Sequence, residues 1–177
     1  MYLFKTKQLI CIAGILLLGF SAQAQSNQNA NKIYIQWQTS NCGINEDDSL
    51  IRTLLENASI IESQLMKGFR EGPPTKYVQT TVAAELKRMR LNRKQIADGK
   101  LQTGLSKEDL QIATEIEPEA ARERIRKGII KGWKTRALAG LSYLKTDDSI
   151  KLLERLAEDQ SSEFSAFAKY LLARNKD

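Results

Sequence analysis

Apolar side chains recur at intervals of three and four residues over most of the chain from Leu50 onwards. This spacing places them on one face of an α-helix, so it predicts amphipathic helices that must cover their apolar faces against one another. The pattern is clearest in the last third, where the apolar positions form three faces separated by short polar connections: Trp133, Ala137, Gly140, Leu141 and Leu144; Ile150, Leu153, Leu156 and Ala157; Phe164, Phe167, Ala168, Leu171 and Leu172. We therefore expect an all-α fold, either a short α-solenoid or an irregular helical bundle of stacked antiparallel helix pairs.

Capping residues and turn residues divide this pattern into helices. Asn45 is a candidate N-cap, and Gly72-Pro73-Pro74 ends the helical region that follows it. Ser59 and Glu62 have the spacing of a capping box, so this region is either one long helix or two helices that meet near Asn57. Further helices are expected in the middle of the chain: Tyr77–Leu91, one that starts at Pro118 and ends near Gly132, and another from Trp133.

The first 24 residues have the three-part layout of a secretory signal peptide. Lys5 and Lys7 form a basic start, an apolar run extends from Leu9 to Phe20, and Ala22 and Ala24 occupy the two positions that signal peptidase reads. The apolar run is shorter than the about 20 residues of a membrane-spanning helix. We expect cleavage of residues 1–24 and export to the periplasm or the exterior of a bacterium, the alternative being an uncleaved N-terminal anchor.

Residues 25–45 differ in pattern from the rest of the chain. The Gln- and Asn-rich start predicts a flexible leader, and residues 32–38 alternate with apolar side chains at Ile33, Ile35 and Trp37. The alternation predicts an extended segment that lies along a helical surface or pairs with something outside. Tyr34 and Trp37 are candidate binding aromatics, although they could instead cover the first helix. Residues 46–177 are predicted to form a single helical domain.

The composition excludes several classes of catalytic and metal site. The chain has no histidine, which removes the usual general base, the usual activator of a nucleophile and the commonest metal ligand. Cys42 is the only cysteine after the predicted cleavage, so neither an intrachain disulfide nor a common structural zinc site is expected. No glycine-rich loop followed by lysine is present to bind phosphate. We expect no cofactor, no metal and no enzymatic activity.

One carboxylate leaves an enzymatic alternative open. Ile61-Glu62-Ser63 is similar to the Glu-Ser pair of lytic transglycosylases, which implies Glu62 as the acid that protonates a glycosidic oxygen. The Gly-Leu-Met-Gln type of segment that follows the pair in those enzymes is missing. The competing interpretation makes Glu62 the capping-box partner of Ser59.

Basic side chains concentrate in the middle of the chain. One group crowds a predicted helix end and is the candidate binding site together with the two aromatics: Lys87, Arg88, Arg90, Arg93 and Lys94. A second series runs from Arg122 to Arg136. A solvated helix face is the simplest interpretation of both, but such a face could bind an anionic polymer, lipid headgroups or an acidic protein surface. Nucleic acid is not expected to be a partner of an exported protein.

An internal repeat in the last third of the chain indicates stacked helix pairs. A shift of 31 residues superposes three pairs of small or apolar residues: Trp133 on Phe164, Ala137 on Ala168, and Leu141 on Leu172. Residues 133–175 resemble short HEAT-like repeats of the kind found in bilin-lyase relatives, through residues 136–141, 147–150, 152–153 and Leu156. The resemblance implies a non-enzymatic scaffold that binds another envelope protein. A small envelope glycosidase using Glu62 and a basic adaptor for anionic surface polymer are the alternatives.

Overall fold

The computed structural model describes residues 28–40, 48–98 and 118–175. These residues form seven helices and no strand: α1 (residues 28–39), α2 (Asp48–Glu56), α3 (Ala58–Glu71), α4 (Thr75–Ala97), α5 (Pro118–Leu144), α6 (Asp147–Glu158) and α7 (Ser165–Arg174). The predicted all-α fold class is confirmed. None of these helices is both long and apolar enough to cross a membrane.

Several sequence predictions concern residues outside the described ranges. They are the signal peptide, the first residues of the leader, Cys42 and the candidate N-cap Asn45. All of these stay predictions.

The predicted extended segment is wrong, because residues 28–39 are the helix α1. Its buried residues are Ala30, Ile33 and Trp37, which are spaced by three and four positions as on one helical face. Ile35, which strand alternation would place beside Trp37, is 39% exposed. Ala30 completes the helical pattern, but it lies in the stretch interpreted as a flexible leader, so the short alternation that begins at Ile33 was misleading.

The chain divides into two compact units. The first consists of Met1–Lys67 and Arg136–Asp177, and the second is Gly68–Thr135. The unit boundaries fall within α3 and α5. The prediction of one domain over residues 46–177 stays a prediction.

The core of the first unit is built around Trp37 and Gly140. The Trp37 side chain is 1% exposed, and its indole Nε1–H donates to the carbonyl oxygen of Arg136 at 2.8 Å. A Cβ on Gly140 would lie 2.9 Å from both Trp37 Nε1 and Leu65 Cδ1. Glycine is therefore needed here because α1 and α3 pack directly on the backbone of α5. Tyr143 continues the cluster, with its ring edge-to-face with Trp37 at 5.9 Å between centroids.

Helices α6 and α7 complete the first unit, and their ends are closed by hydroxyl and carboxylate groups. Thr146 is the N-cap of α6, and its Oγ1 accepts from the backbone N–H of Ser149 at 3.2 Å. In the loop after α6, Asp159 accepts from both the backbone N–H and the hydroxyl of Ser161. The Ser165 hydroxyl then donates to the Ala157 carbonyl, joining α7 to α6. The predicted start of α6 at Thr146 to Asp148 is confirmed.

The second unit contains α4 and the first part of α5. Trp133 is buried, as its place in the apolar pattern predicts, and its ring lies 5.0 Å from that of Tyr77 on α4. The predicted helix end near Gly132 is wrong, since α5 runs without a break through this residue. A glycine within a helix costs only about 1 kcal/mol relative to alanine, and burial of Trp133 outweighs that cost.

Candidate functional site

The exposed side of α4 carries a row of positive side chains. Three of the five predicted basic residues, Lys87, Arg90 and Lys94, are exposed and share one helical face, because their spacing of three and four returns to nearly the same direction. Lys76 lies on the same face, eleven residues before Lys87, and is also exposed. We call Lys76, Lys87, Arg90 and Lys94 the basic row. At about 1.5 Å per residue, it extends about 27 Å along the helix.

The other two predicted basic residues do not belong to this row. Arg88 is bound on its own helix, with a guanidinium nitrogen 2.6 Å from a carboxylate oxygen of Glu85. Arg93 is half-buried and lies on the side of α4 that carries Val82. The sequence grouped all five residues by proximity along the chain. Their angular positions around the helix separate Arg88 and Arg93 from the other three. The same angular criterion places Lys76 with the row.

The basic row forms no ion pair in the part of the chain that the structure describes. None of its four side chains forms an ion pair or a hydrogen bond there. On α5, by contrast, three of the seven cations of the second basic series are paired one turn apart: Arg122 with Glu119 at 3.0 Å, Arg126 with Glu123 at 2.9 Å, and Lys127 with Glu123 at 3.9 Å. The hydrogen bond from Arg126 holds the pKa of the Glu123 carboxyl below its ordinary value. The cations of the row keep their full charge available for an anionic partner.

The surface around the row contains one large exposed apolar side chain. Leu91 is 53% exposed and follows Lys87 by one helical turn. Thr80 and Ala83 are small, exposed residues between Lys76 and Lys87. The Thr80 hydroxyl donates to the Lys76 carbonyl at 2.8 Å, so its single donor is already bonded within α4. A partner could approach this part of the helix closely without leaving that donor unpaired.

The net positive charge of the chain comes from the second unit. Residues 68–135 contain 15 Lys and Arg against 9 Asp and Glu, while the remaining 109 residues contain 12 of each. The entire net charge of +6 therefore belongs to the second unit. Among the described residues the contrast is larger, with 13 basic against 5 acidic side chains in the second unit and 9 of each in the first.

The two predicted binding aromatics belong to the first unit, whereas the basic row belongs to the second. Trp37 is a core residue with its ring enclosed and its N–H bonded, which argues against it as an anchor for a partner. Tyr34 is half-buried one turn earlier on α1. Tyr143, which the sequence did not single out, lies between Trp37 and the Arg174 guanidinium, whose carbon is 4.5 Å from the ring centroid.

Glu62 is held by hydroxyl groups from a distant part of the chain. Its Oε1 accepts from Thr146 Oγ1 and from Ser149 Oγ, the latter at 3.0 Å. The predicted capping box is wrong, because α3 already begins at Ala58 and Ser59 lies inside its first turn. The carboxylate instead lies at the start of α6, where the helix dipole favours a negative charge. This arrangement supplies a structural reason for Glu62.

Comparisons with known proteins identify no relative of this chain. No protein-family model, curated protein or solved structure matches this chain. The HEAT-like resemblance accordingly stays a prediction. Within the described ranges, no three His, Cys, Asp or Glu side chains are grouped so that they could hold a metal ion.

Proposed function

We propose that the protein is an exported, non-enzymatic helical scaffold of the bacterial envelope that binds another envelope protein through the basic row. The observation that carries this proposal is the set of four exposed cations on one face of α4 with no acidic partner among the described residues. Solvated helix faces commonly mix both signs, as at the start of α5, where i,i+3 pairs join Arg122 to Glu119 and Arg126 to Glu123. A face of one sign is suited to attract and orient a partner of the opposite sign.

The proposed architecture is a short HEAT-like stack of helix pairs. Its support is confined to the first unit, where α6 and α7 pack together and Ala137, Ala168 and Leu141 of the 31-residue repeat are buried. In such repeats each pair covers its neighbour, and the exposed helix faces serve for binding. We place the interaction on α4 because this helix carries four cations without an ion pair on one face.

A row-specific capture experiment tests the proposal. The wild-type protein, a row variant and a control variant would each be tagged, exported in the native host, cross-linked and purified. The row variant carries Lys87→Glu, Arg90→Glu and Lys94→Glu. The control carries the same change in charge at three exposed cations of the first unit, Lys151→Glu, Arg155→Glu and Lys169→Glu. Glutamate is a good helix former, so both variants should retain their helicity, which circular dichroism checks.

We expect one specific envelope protein to purify with the wild type and the control variant but not with the row variant. Capture that is equal in all three samples, or that is absent from all three, refutes the proposal. Capture by the wild type should persist at moderate salt, because an interface with direct contacts is less screened than separated charges.

A basic adaptor for an anionic surface polymer is the second candidate, because the same unmatched cations would attract it. Such binding rests on charge alone, so it should collapse with modest added salt. Salt-sensitive retention on the polymer, lost in the row variant and without a captured protein, favours the adaptor. The glycosidase alternative has less support, since both hydroxyl bonds to Glu62 come from within the chain.

A further inference from the structure

We infer that the partner presents an acidic α-helix to the basic row, an inference that rests on the proposed function and specifies its contact. The face of α4 that includes the row follows intervals of four, three, four, three and four residues, through Lys76, Thr80, Ala83, Lys87, Arg90 and Lys94. Alternating intervals of this kind keep a line of side chains nearly parallel to the helix axis. A straight line about 27 Å long matches a rod-shaped partner better than a compact one.

The two halves of this face suit different parts of a helical partner. Thr80 and Ala83 are short side chains, so a second helix can pack closely against α4 at this level. Lys87, Arg90 and Lys94 follow on the same face, where carboxylates spaced by three and four residues on the partner would meet them in register. Acidic side chains scattered around a helix would meet only one of the three.

Leu91 supplies the apolar contact of the interface. It is 53% exposed and has charged or polar residues on both adjacent turns of α4. Protein interfaces commonly enclose a small apolar centre within a polar rim. A leucine between the acidic residues of the partner helix would cover Leu91 and exclude water from the neighbouring ion pairs.

The same observations disfavour a lipid surface as the partner. Helices that bind membrane interfaces carry a broad apolar face with bulky side chains such as Trp, Phe and Leu. The exposed side of α4 offers Leu91 as its single large apolar residue and no aromatic residue among the positions near the row. The charges are suited to anionic lipid, but the apolar area needed for insertion is missing.

A pair of peptides of identical composition tests the inference. The first is a helical peptide with glutamates at intervals of three and four residues on one face and a leucine between them. The second contains the same residues, with glutamates distributed around the helix. Binding to the purified protein would be measured by fluorescence anisotropy at low salt, using the row and control variants defined above and Leu91→Ala.

We expect the patterned peptide to bind about 2- to 25-fold more tightly than the scattered one, since it gains two exposed ion pairs and each contributes about 1.5- to 5-fold in affinity. The row variant should lose this preference and the control variant should keep it. Leu91→Ala should weaken binding of the patterned peptide several-fold and leave the scattered peptide unaffected. Because Leu91 is largely exposed, this variant should fold normally.

Other outcomes overturn the inference in distinguishable ways. Equal binding of the two peptides contradicts a helical register but leaves the proposed function standing, provided that the row variant still loses its captured protein. Binding to vesicles containing phosphatidylglycerol that depends on the row, without a preference between the peptides, assigns the row to a membrane surface. Loss of row-dependent capture from the envelope refutes the proposed function itself.

Discussion

Gly140→Ala should destabilise the protein although alanine is the better helix former. The added Cβ would lie 2.9 Å from Leu65 Cδ1 and from Trp37 Nε1, and 3.0 Å from Leu65 Cδ2. Leu65 and Trp37 are both buried, so neither side chain can move into solvent. Moving the indole would also stretch its hydrogen bond to the Arg136 carbonyl.

The size of the destabilisation follows from two unfavourable contributions and one favourable contribution. Inserting a methyl group into a well-packed core costs about 1–3 kcal/mol. Weakening the indole hydrogen bond costs about a further 1 kcal/mol. Replacing glycine by alanine within a helix recovers about 1 kcal/mol. We therefore expect the free energy of unfolding to fall by about 2 kcal/mol, combining these contributions.

Gly128→Ala is the matched control because it makes the same change in the same helix. A Cβ at Gly128 would have no neighbouring atom within 4 Å. Only the helix-propensity gain remains, so this variant should be stabilised by about 0.5–1 kcal/mol. Urea denaturation followed by circular dichroism and by tryptophan fluorescence measures both variants, and unchanged m-values would show that the unfolding transitions are comparable.

Gly140→Ala and Gly128→Ala should therefore change the free energy of unfolding in opposite directions. If Gly140→Ala is as stable as the wild type, or is stabilised like Gly128→Ala, the close approach of α1 and α3 to α5 is refuted. In a background of Leu65→Ala, two of the three short contacts disappear, so Gly140→Ala should cost less there. An unchanged cost would attribute the destabilisation to Trp37 alone.

Four further predictions concern the first unit. Trp37→Phe should lower the free energy of unfolding by about 1–3 kcal/mol, since it removes the indole hydrogen bond to Arg136 and leaves unfilled volume in a buried site; an unchanged urea midpoint would contradict this. Glu62→Ala should cost about 1–3 kcal/mol because it removes the acceptor of two hydroxyls, and Glu62→Gln should cost less because it keeps a carbonyl oxygen. Thr146→Ala should cost about 1 kcal/mol through loss of the N-cap and less in the Glu62→Ala background, whereas strict additivity would show that the two groups do not interact. Hydrogen bonds from Ser161, the hydroxyl first, hold the pKa of the Asp159 carboxyl below its ordinary value, so Ser161→Ala should raise this pKa in an NMR titration. Because the folded pKa is lowered, the stability that it contributes is present above about pH 4 and is lost as the pH falls through the folded pKa.

The candidate site was partly predictable from the sequence. The five basic residues were recognised as a group, yet only Lys87, Arg90 and Lys94 belong to the basic row, and Lys76 was missed. The phase of a regular helix would have sorted them, because each residue advances about 100° around the axis. No local pattern in the sequence shows which of these cations have acidic neighbours in the folded protein.

The sequence by itself determined the helices, because their signal is local. Apolar spacing and capping residues act within a few positions along the chain, so the all-α class and the start of α6 at Thr146 were predictable. Short patterns are ambiguous where few residues contribute: the alternation around Ile33 predicts an extended segment, although α1 is helical.

Only the tertiary structure decided what these helices contact. The bond from Thr146 to Glu62 joins residues 84 positions apart, and that from Trp37 to Arg136 joins residues 99 apart. These pairings depend on which helix faces meet, and a face can satisfy its apolar pattern against many partners. The requirement for glycine at position 140 has the same origin, since the lack of a side chain matters only where another helix packs against that backbone.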